Sequence, residues 1–127
     1  MSSKYLDAAA LRGKTITVIS QIGDDRIEIT ADDGKRYAML HEQDCCESVT
    51  IHDITGDLPS LVGAPLLVAR ERTSKAWPRD VAKPCWREES ETWTSYFFET
   101  EKTKVRIRWH GRSNGYYSES VQIEEIE

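Results

Sequence analysis

Cys45-Cys46-Glu47-Ser48-Val49-Thr50-Ile51-His52-Asp53-Ile54 is the stretch on which the reading of the whole chain turns. Its apolar residues alternate with polar ones through Val49 and Ile51, the period of a strand with one buried face. A relative of it, Tyr117-Ser118-Glu119-Ser120-Val121-Gln122-Ile123-Glu124-Glu125-Ile126, returns near the other end. Glu-Ser-Val, the next-but-one Ile, an acid and a closing Ile all recur 72 residues on.

Working outward from the first stretch, Thr15 to Ser20 is dense in β-branched residues and predicts a strand. Arg26 to Ala31 alternates polar and apolar, Asp33-Gly34 signals a hairpin, and Lys35 to Leu40 returns. Ahead of these, Tyr5 to Leu11 is Ala-rich enough for two helical turns stopped by Gly13. Downstream, Asp57, Pro59 and Gly63 bound another short helix. Pro65 to Arg72 predicts a strand, Thr92 to Thr100 and Lys104 to His110 a second hairpin, and Gly115 precedes the last strand.

Two halves, 5–56 and 57–127, then share one plan of short helix, Gly, strand, hairpin, His-containing loop and Glu-Ser-Val strand. Gly13 matches Gly63 at an offset of 50 and His41 matches His110 at 69, and the segment 73–91, aperiodic and broken by Pro78 and Pro84, holds the 19 residues between those offsets. The expected fold is mainly β: about eight antiparallel strands in two similar halves made by internal duplication, forming a sandwich or barrel with short helices. At 127 residues this is a single domain, 1–127, large enough for its own core.

The composition, 39% hydrophobic and 31% charged, belongs to a folded chain with no apolar run of membrane length. Absence of a signal-peptide pattern implies a cytoplasmic location. Three cysteines without framework spacing imply reduced thiols. A net charge of -5 argues against a protein that coats nucleic acid, though it leaves room for a local basic face.

Residues 41–63, from His-Glu-Gln-Asp-Cys-Cys-Glu-Ser-Val to Leu-Val-Gly, followed by Pro65-Leu66-Leu67, resemble a family of small uncharacterised proteins common in phage and bacterial genomes. The tail, Arg108-Trp109-His110-Gly111 with Ser113-Asn114-Gly115-Tyr116-Tyr117-Ser118-Glu119-Ser120-Val121, is similar to the same family. The resemblance brings no established activity with it; it implies a phage or prophage origin. The segment from Ala76 to Glu91 has no counterpart in it.

Three groups of residues could carry function. Strand parity places Glu47 on the face of Val49 and Ile51, and Glu119 on that of Val121 and Ile123, so two glutamates point inward at strand beginnings. With His41 and His110 they could line a ligand-binding or hydrolytic cleft; alternatively each fixes the turn ahead of its strand by accepting bonds from loop amides or an arginine. Lys104, Arg106 and Arg108 share one face with His110, opposite Val105, Ile107 and Trp109, and could grip nucleic acid beside Tyr116 and Tyr117 or simply form a solvated face.

The long loop concentrates Trp77, Arg79, Trp86 and Arg87, residue types that dominate protein-protein hot spots. Its alternative role is to fold back over an open end of the β core. Adjacent Cys45 and Cys46, pointing to opposite faces of an extended segment, do not make a metal site with His41 or Asp44. No metal, cofactor or catalytic residue is expected. The leading expectation is a non-enzymatic interaction protein that engages a host protein, such as an inhibitor of a bacterial defence system like CRISPR.

Overall fold

The computed structural model describes residues 5–83 and 90–126. Nine strands form two antiparallel sheets. They are β1 (Tyr5–Leu6), β2 (Ile16–Ile22), β3 (Arg26–Ala31), β4 (Arg36–Leu40), β5 (Ser48–Thr55), β6 (Val68–Ser74), β7 (Ser90–Glu99), β8 (Lys104–Ser113) and β9 (Gln122–Ile126). One sheet has the order β1-β9-β4-β3-β2 and the other β5-β8-β7-β6.

Each sheet is a three-stranded meander, β2-β3-β4 or β6-β7-β8, joined by the last strand of the other half of the chain, and β1 adds a fifth strand to the first sheet beyond β9. The two are not closed into a barrel; β1 and β2 are the edges of one, β5 and β6 of the other. Where the halves meet, Gly13 N–H donates to the Leu66 carbonyl at 2.8 Å and Gly63 N–H to the Ile16 carbonyl at 3.0 Å.

The sheets pack face to face because alternation gives each one apolar side. Ile27, Ile29, Tyr37, Met39 and Ile123 of the first meet Tyr96, Phe98, Val105, Ile107 and Trp109 of the second in one buried cluster. Its polar atoms are satisfied across the gap: Trp109 Nε1 donates to Met39 Sδ at 3.2 Å, and Tyr96 Oη to the Val121 carbonyl at 3.2 Å. Burial of Tyr96 pushes its phenol far up, so it stays a neutral donor.

Several local expectations shift. Tyr5 to Leu11 is not two α-turns but strand β1 and one 3-10 turn, Ala8–Leu11, which Asp7 caps through Ala9 N–H at 3.2 Å. Tyr5 and Leu6 pair with Glu124 and Ile123 of β9, and that pairing takes the segment's first turn. The Asp33-Gly34 hairpin is one residue longer than a two-residue turn: Ala31 N–H bonds the Lys35 carbonyl at 2.9 Å around Asp32, Asp33 and Gly34. Gly34 sits at φ +85°, the left-handed position such a three-residue loop requires. The predicted Gly56–Gly63 helix is a 3-10 turn, Leu58–Leu61. No helix among the described residues is long and apolar enough to cross a membrane.

Candidate functional site

Strand β8 keeps the parity its sequence dictates. Val105, Ile107 and Trp109 are buried inward; Lys104, Arg106, Arg108 and His110 alternate with them on the outer face of the four-stranded sheet. That face is not a solvated ladder. Arg108 is only 5% exposed, and a buried guanidinium must be paired.

Asp53 supplies one partner, with Oδ2 2.5 Å from Nη2. It reaches that place through a bulge: Ile51 is opposite Trp109 and Asp53 opposite Arg108, so His52 is an extra residue and Asp53 lands on the outer face. The second partner is Asp80, which takes Nη1 at 2.9 Å and Nη2 at 3.1 Å. The Asp80 carboxyl is held below the usual range, chiefly by this bond. Burial pulls Asp53 upward, but its bonds from Arg108 and His52 outweigh that and leave it lowered. Arg106 approaches the same two acids at 3.9 and 3.8 Å, and Lys104 lies 4.0 Å from Glu99.

Asp80 belongs to a strap, residues 75–83, that leaves β6 and crosses this outer face. A turn shapes it: Val81 N–H bonds the Pro78 carbonyl at 3.3 Å, and Trp77 Nε1 donates to the Val81 carbonyl at 3.0 Å. The Trp77 ring meets Trp93 edge to face at 5.2 Å and His110 at 5.6 Å, while Trp93 stacks on His110 at 4.2 Å. Trp77, the described tryptophan of the long loop, thus covers the outside of a sheet rather than an open end of the core. Burial lowers the His110 pKa, opposed by its 3.0 Å bond to Glu91.

Between strap and sheet lies a pocket of about 350 Å³. Arg72, Arg79, Arg106 and Arg108 line it, together with the rings of Trp77, Trp93 and Phe97, and among the described residues no acidic side chain does. Arg70 lies over the Phe97 ring at 4.3 Å. Trp86 and Arg87, the other half of the predicted partner-binding set, fall outside the described residues.

The two glutamates are buried as parity predicts, at 4% and 6% exposure. Glu47 accepts from the amides of Asp44 at 2.8 Å and Cys45 at 2.9 Å, and faces His41 Nε2 at 2.7 Å. The Cys45 amide foremost, with His41 and Asp44, holds its carboxyl at about 2 despite burial. His41 in turn donates through Nδ1 to the Ser120 carbonyl at 2.7 Å, tying loop 41–47 to the approach to β9.

Among the described residues Glu119 takes neither loop amides nor an arginine. Thr92 Oγ1 donates to it at 2.6 Å and Ser113 Oγ donates to its other oxygen, with Lys75 Nζ 3.6 Å away. Burial raises its pKa, and the Ser113 and Thr92 bonds more than reverse this. Gly111 makes the arrangement possible: a Cβ there would stand 2.9 Å from Glu119 Cβ and 3.2 Å from Val49 Cγ2.

The four residues of the hydrolytic reading therefore sit in three networks: His41 with Glu47, Glu119 with the hydroxyls of Ser113, Thr92 and Ser90, and His110 with Glu91 and the tryptophans. Among the described residues no three His, Cys, Asp or Glu side chains are grouped as a metal site requires. Cys45 and Cys46 are not separate thiols on opposite faces; their sulfurs are 2.10 Å apart in a disulfide. The segment bends there, its amides turned to Glu47, instead of running extended.

Residues 9–123 match the family model described as a domain of unknown function, DUF7448. The chain belongs to this family. No curated protein and no solved structure matches it. In this DUF7448 chain the residues that sequence reasoning missed are Asp53, Asp80, Arg72 and Trp93. Asp53 was hidden by the bulge and Asp80 by its irregular loop; Arg72 and Trp93 could have been found by parity, had β6 and β7 been aligned with β8.

Proposed function

We propose that this protein is a non-enzymatic binding protein of phage or mobile-element type, acting in the cytoplasm of a bacterial host and engaging a host protein such as a component of a defence system. The observation that carries the binding reading is the seating of Trp77 against Trp93 and His110, which turns a flat sheet face into an arginine-lined pocket. Trp and Arg in a partly enclosed setting are the residue types that anchor protein interfaces. The resemblance of the 41–63 and 108–121 motifs to phage and bacterial proteins supports a bacterial setting.

The chain also reads as an internal duplication. In support, the bonds from Gly13 to Leu66 and from Gly63 to Ile16 exchange positions 50 residues apart, and, β1 aside, both sheets have the same meander-plus-one order. On this reading Glu47 and Glu119 stand at equivalent positions, the first held by loop amides and a histidine and the second by hydroxyls. The strap between β6 and β7 has no equivalent in the first half, where three residues, 23–25, join β2 to β3. What is unique to one half is where a specific function resides.

Affinity capture of the tagged chain from a bacterial lysate, beside Trp77→Ala, tests the proposal. A stoichiometric protein held by the parent and released by a folded Trp77→Ala variant is the expected result. Equal capture by both would remove the strap from the interface, and capture of nothing by either would leave the host-protein reading without support.

A further inference from the structure

The pocket under the strap concentrates positive charge in a chain whose net charge is -5. Four guanidiniums line it against two nearby carboxylates, Asp53 and Asp80, both drawn to Arg108 and Arg106, an excess of positive charge that suits an anion.

Arg108 already shows how an anion sits there. Asp80 engages Nη1 and Nη2 with its two oxygens, the two-point fit that an arginine fork offers a carboxylate or a phosphate. The Asp80 side chain is 58% exposed, so an incoming anion can reach and replace it. Asp53 stays behind on Nη2 and keeps the guanidinium oriented.

Donors remain for more than one acceptor. Trp93 Nε1, Arg106 Nε and Arg108 Nε are buried with no hydrogen-bond partner among the described residues, and Trp93 and Arg108 are 3% and 5% exposed. A buried donor left without a partner is unfavourable, so this cluster gains from a rearrangement that brings an acceptor beneath the strap.

We propose that this pocket binds a nucleoside phosphate, whose phosphate takes the place of Asp80 on Arg108 with Arg72 and Arg79 at the rim, and whose base lies against the aromatic walls. The volume suits a small organic ligand rather than a bare ion. Flat rings and guanidiniums suit a π face, as in sites for single-stranded nucleic acid. An acidic protein side chain would use the arginines and leave Trp77, Trp93 and Phe97 without a role. A free nucleotide and a nucleotide unit of a single strand present the same chemistry. This inference does not rest on the host-protein reading above.

The test is calorimetric titration of the full chain with adenosine monophosphate, uridine monophosphate and a short oligothymidylate, with adenosine and inorganic phosphate as separate controls. Saturable binding of a phosphate-bearing nucleotide well above either control is expected. Asp80→Asn, which removes the competing carboxylate, should tighten it by about tenfold, and Arg79→Glu should weaken it by at least about tenfold. Thermal melts confirm that both variants are folded.

Tighter binding of the oligonucleotide, falling steeply with salt, assigns the site to single strands; tighter binding of the monophosphates assigns it to free nucleotides. No saturable binding by the parent and Asp80→Asn overturns the proposal, as does binding that Arg79→Glu leaves unchanged. If a captured host protein depends on Arg79 while the chain binds no nucleotide, the pocket holds an acidic protein segment, and the function proposed above survives while this inference does not.

Discussion

The two sheets share a core and a strand plan, and they differ in what their outer faces carry. On the five-stranded sheet, Glu28 lies between Arg26 at 2.7 Å and Arg36 at 3.3 Å, with all three side chains partly open to solvent. On the four-stranded sheet, Arg108 lies between Asp53 and Asp80 with its side chain 6% exposed, beside the pocket that Trp77 walls. The same elements, an arginine and carboxylates on a β face, make a solvated surface in one case and an enclosed site in the other. The difference is one strap, residues 75–83.

The contrast can be broken most easily at its centre. Arg108→Ala removes the partner of two carboxylates and should destabilise the fold by about 2 kcal/mol, less than a fully buried pair because Asp80 is more than half exposed. Chemical denaturation measures it. A loss as small as that of Arg26→Ala would mean that the two faces are energetically alike.

Gly111→Ala asks whether Glu119 is scaffold for the second sheet. The added Cβ meets Glu119 Cβ and carbonyl at 2.9 and 3.0 Å, and overpacking of this kind costs about 1–3 kcal/mol. Trp77→Ala should cost about 1 kcal/mol through its lost ring contacts. Its sharper signature is faster hydrogen exchange at Val81, whose amide closes the strap turn, with no change in β3 or β4.

Acid sharpens the comparison from another side. Glu47 titrates at about 2 in the folded chain against an ordinary 4.5, so the unfolded chain binds more protons between those values. Its stabilising contribution is complete above pH 4.5 and is lost as the pH falls toward 2. Melting temperatures across this window should fall less steeply in Glu47→Gln than in the parent. The smallest effect is expected on the open face: Arg26→Ala should change stability by less than about 0.5 kcal/mol, as exposed ion pairs do.

Much of this architecture is legible in the sequence because it depends on local alternation. Parity along Lys104 to His110 correctly separates core from outer face, and parity through Val49 and Val121 correctly buries Glu47 and Glu119. Alternation says which side a residue faces, not what covers it. The strap's path, the Asp53 and Asp80 pairing and the approach of Glu119 to Gly111 arise from contacts between distant segments. The bulge at His52 defeats parity outright, because one inserted residue reverses the face of everything after it. The Cys45–Cys46 disulfide depends on a local bend set by Glu47, which pattern reading takes for extended strand.

The central claim is that the strapped face, and not its open counterpart, is the working surface. Partner capture from a bacterial lysate should be compared between Arg72→Glu with Arg79→Glu on the four-stranded sheet and Arg26→Glu with Arg36→Glu on the five-stranded one, each pair shown to be folded by thermal melting. Loss of the partner with the first pair and retention with the second is the predicted result. Retention with the first pair, or equal loss with both, would contradict the account.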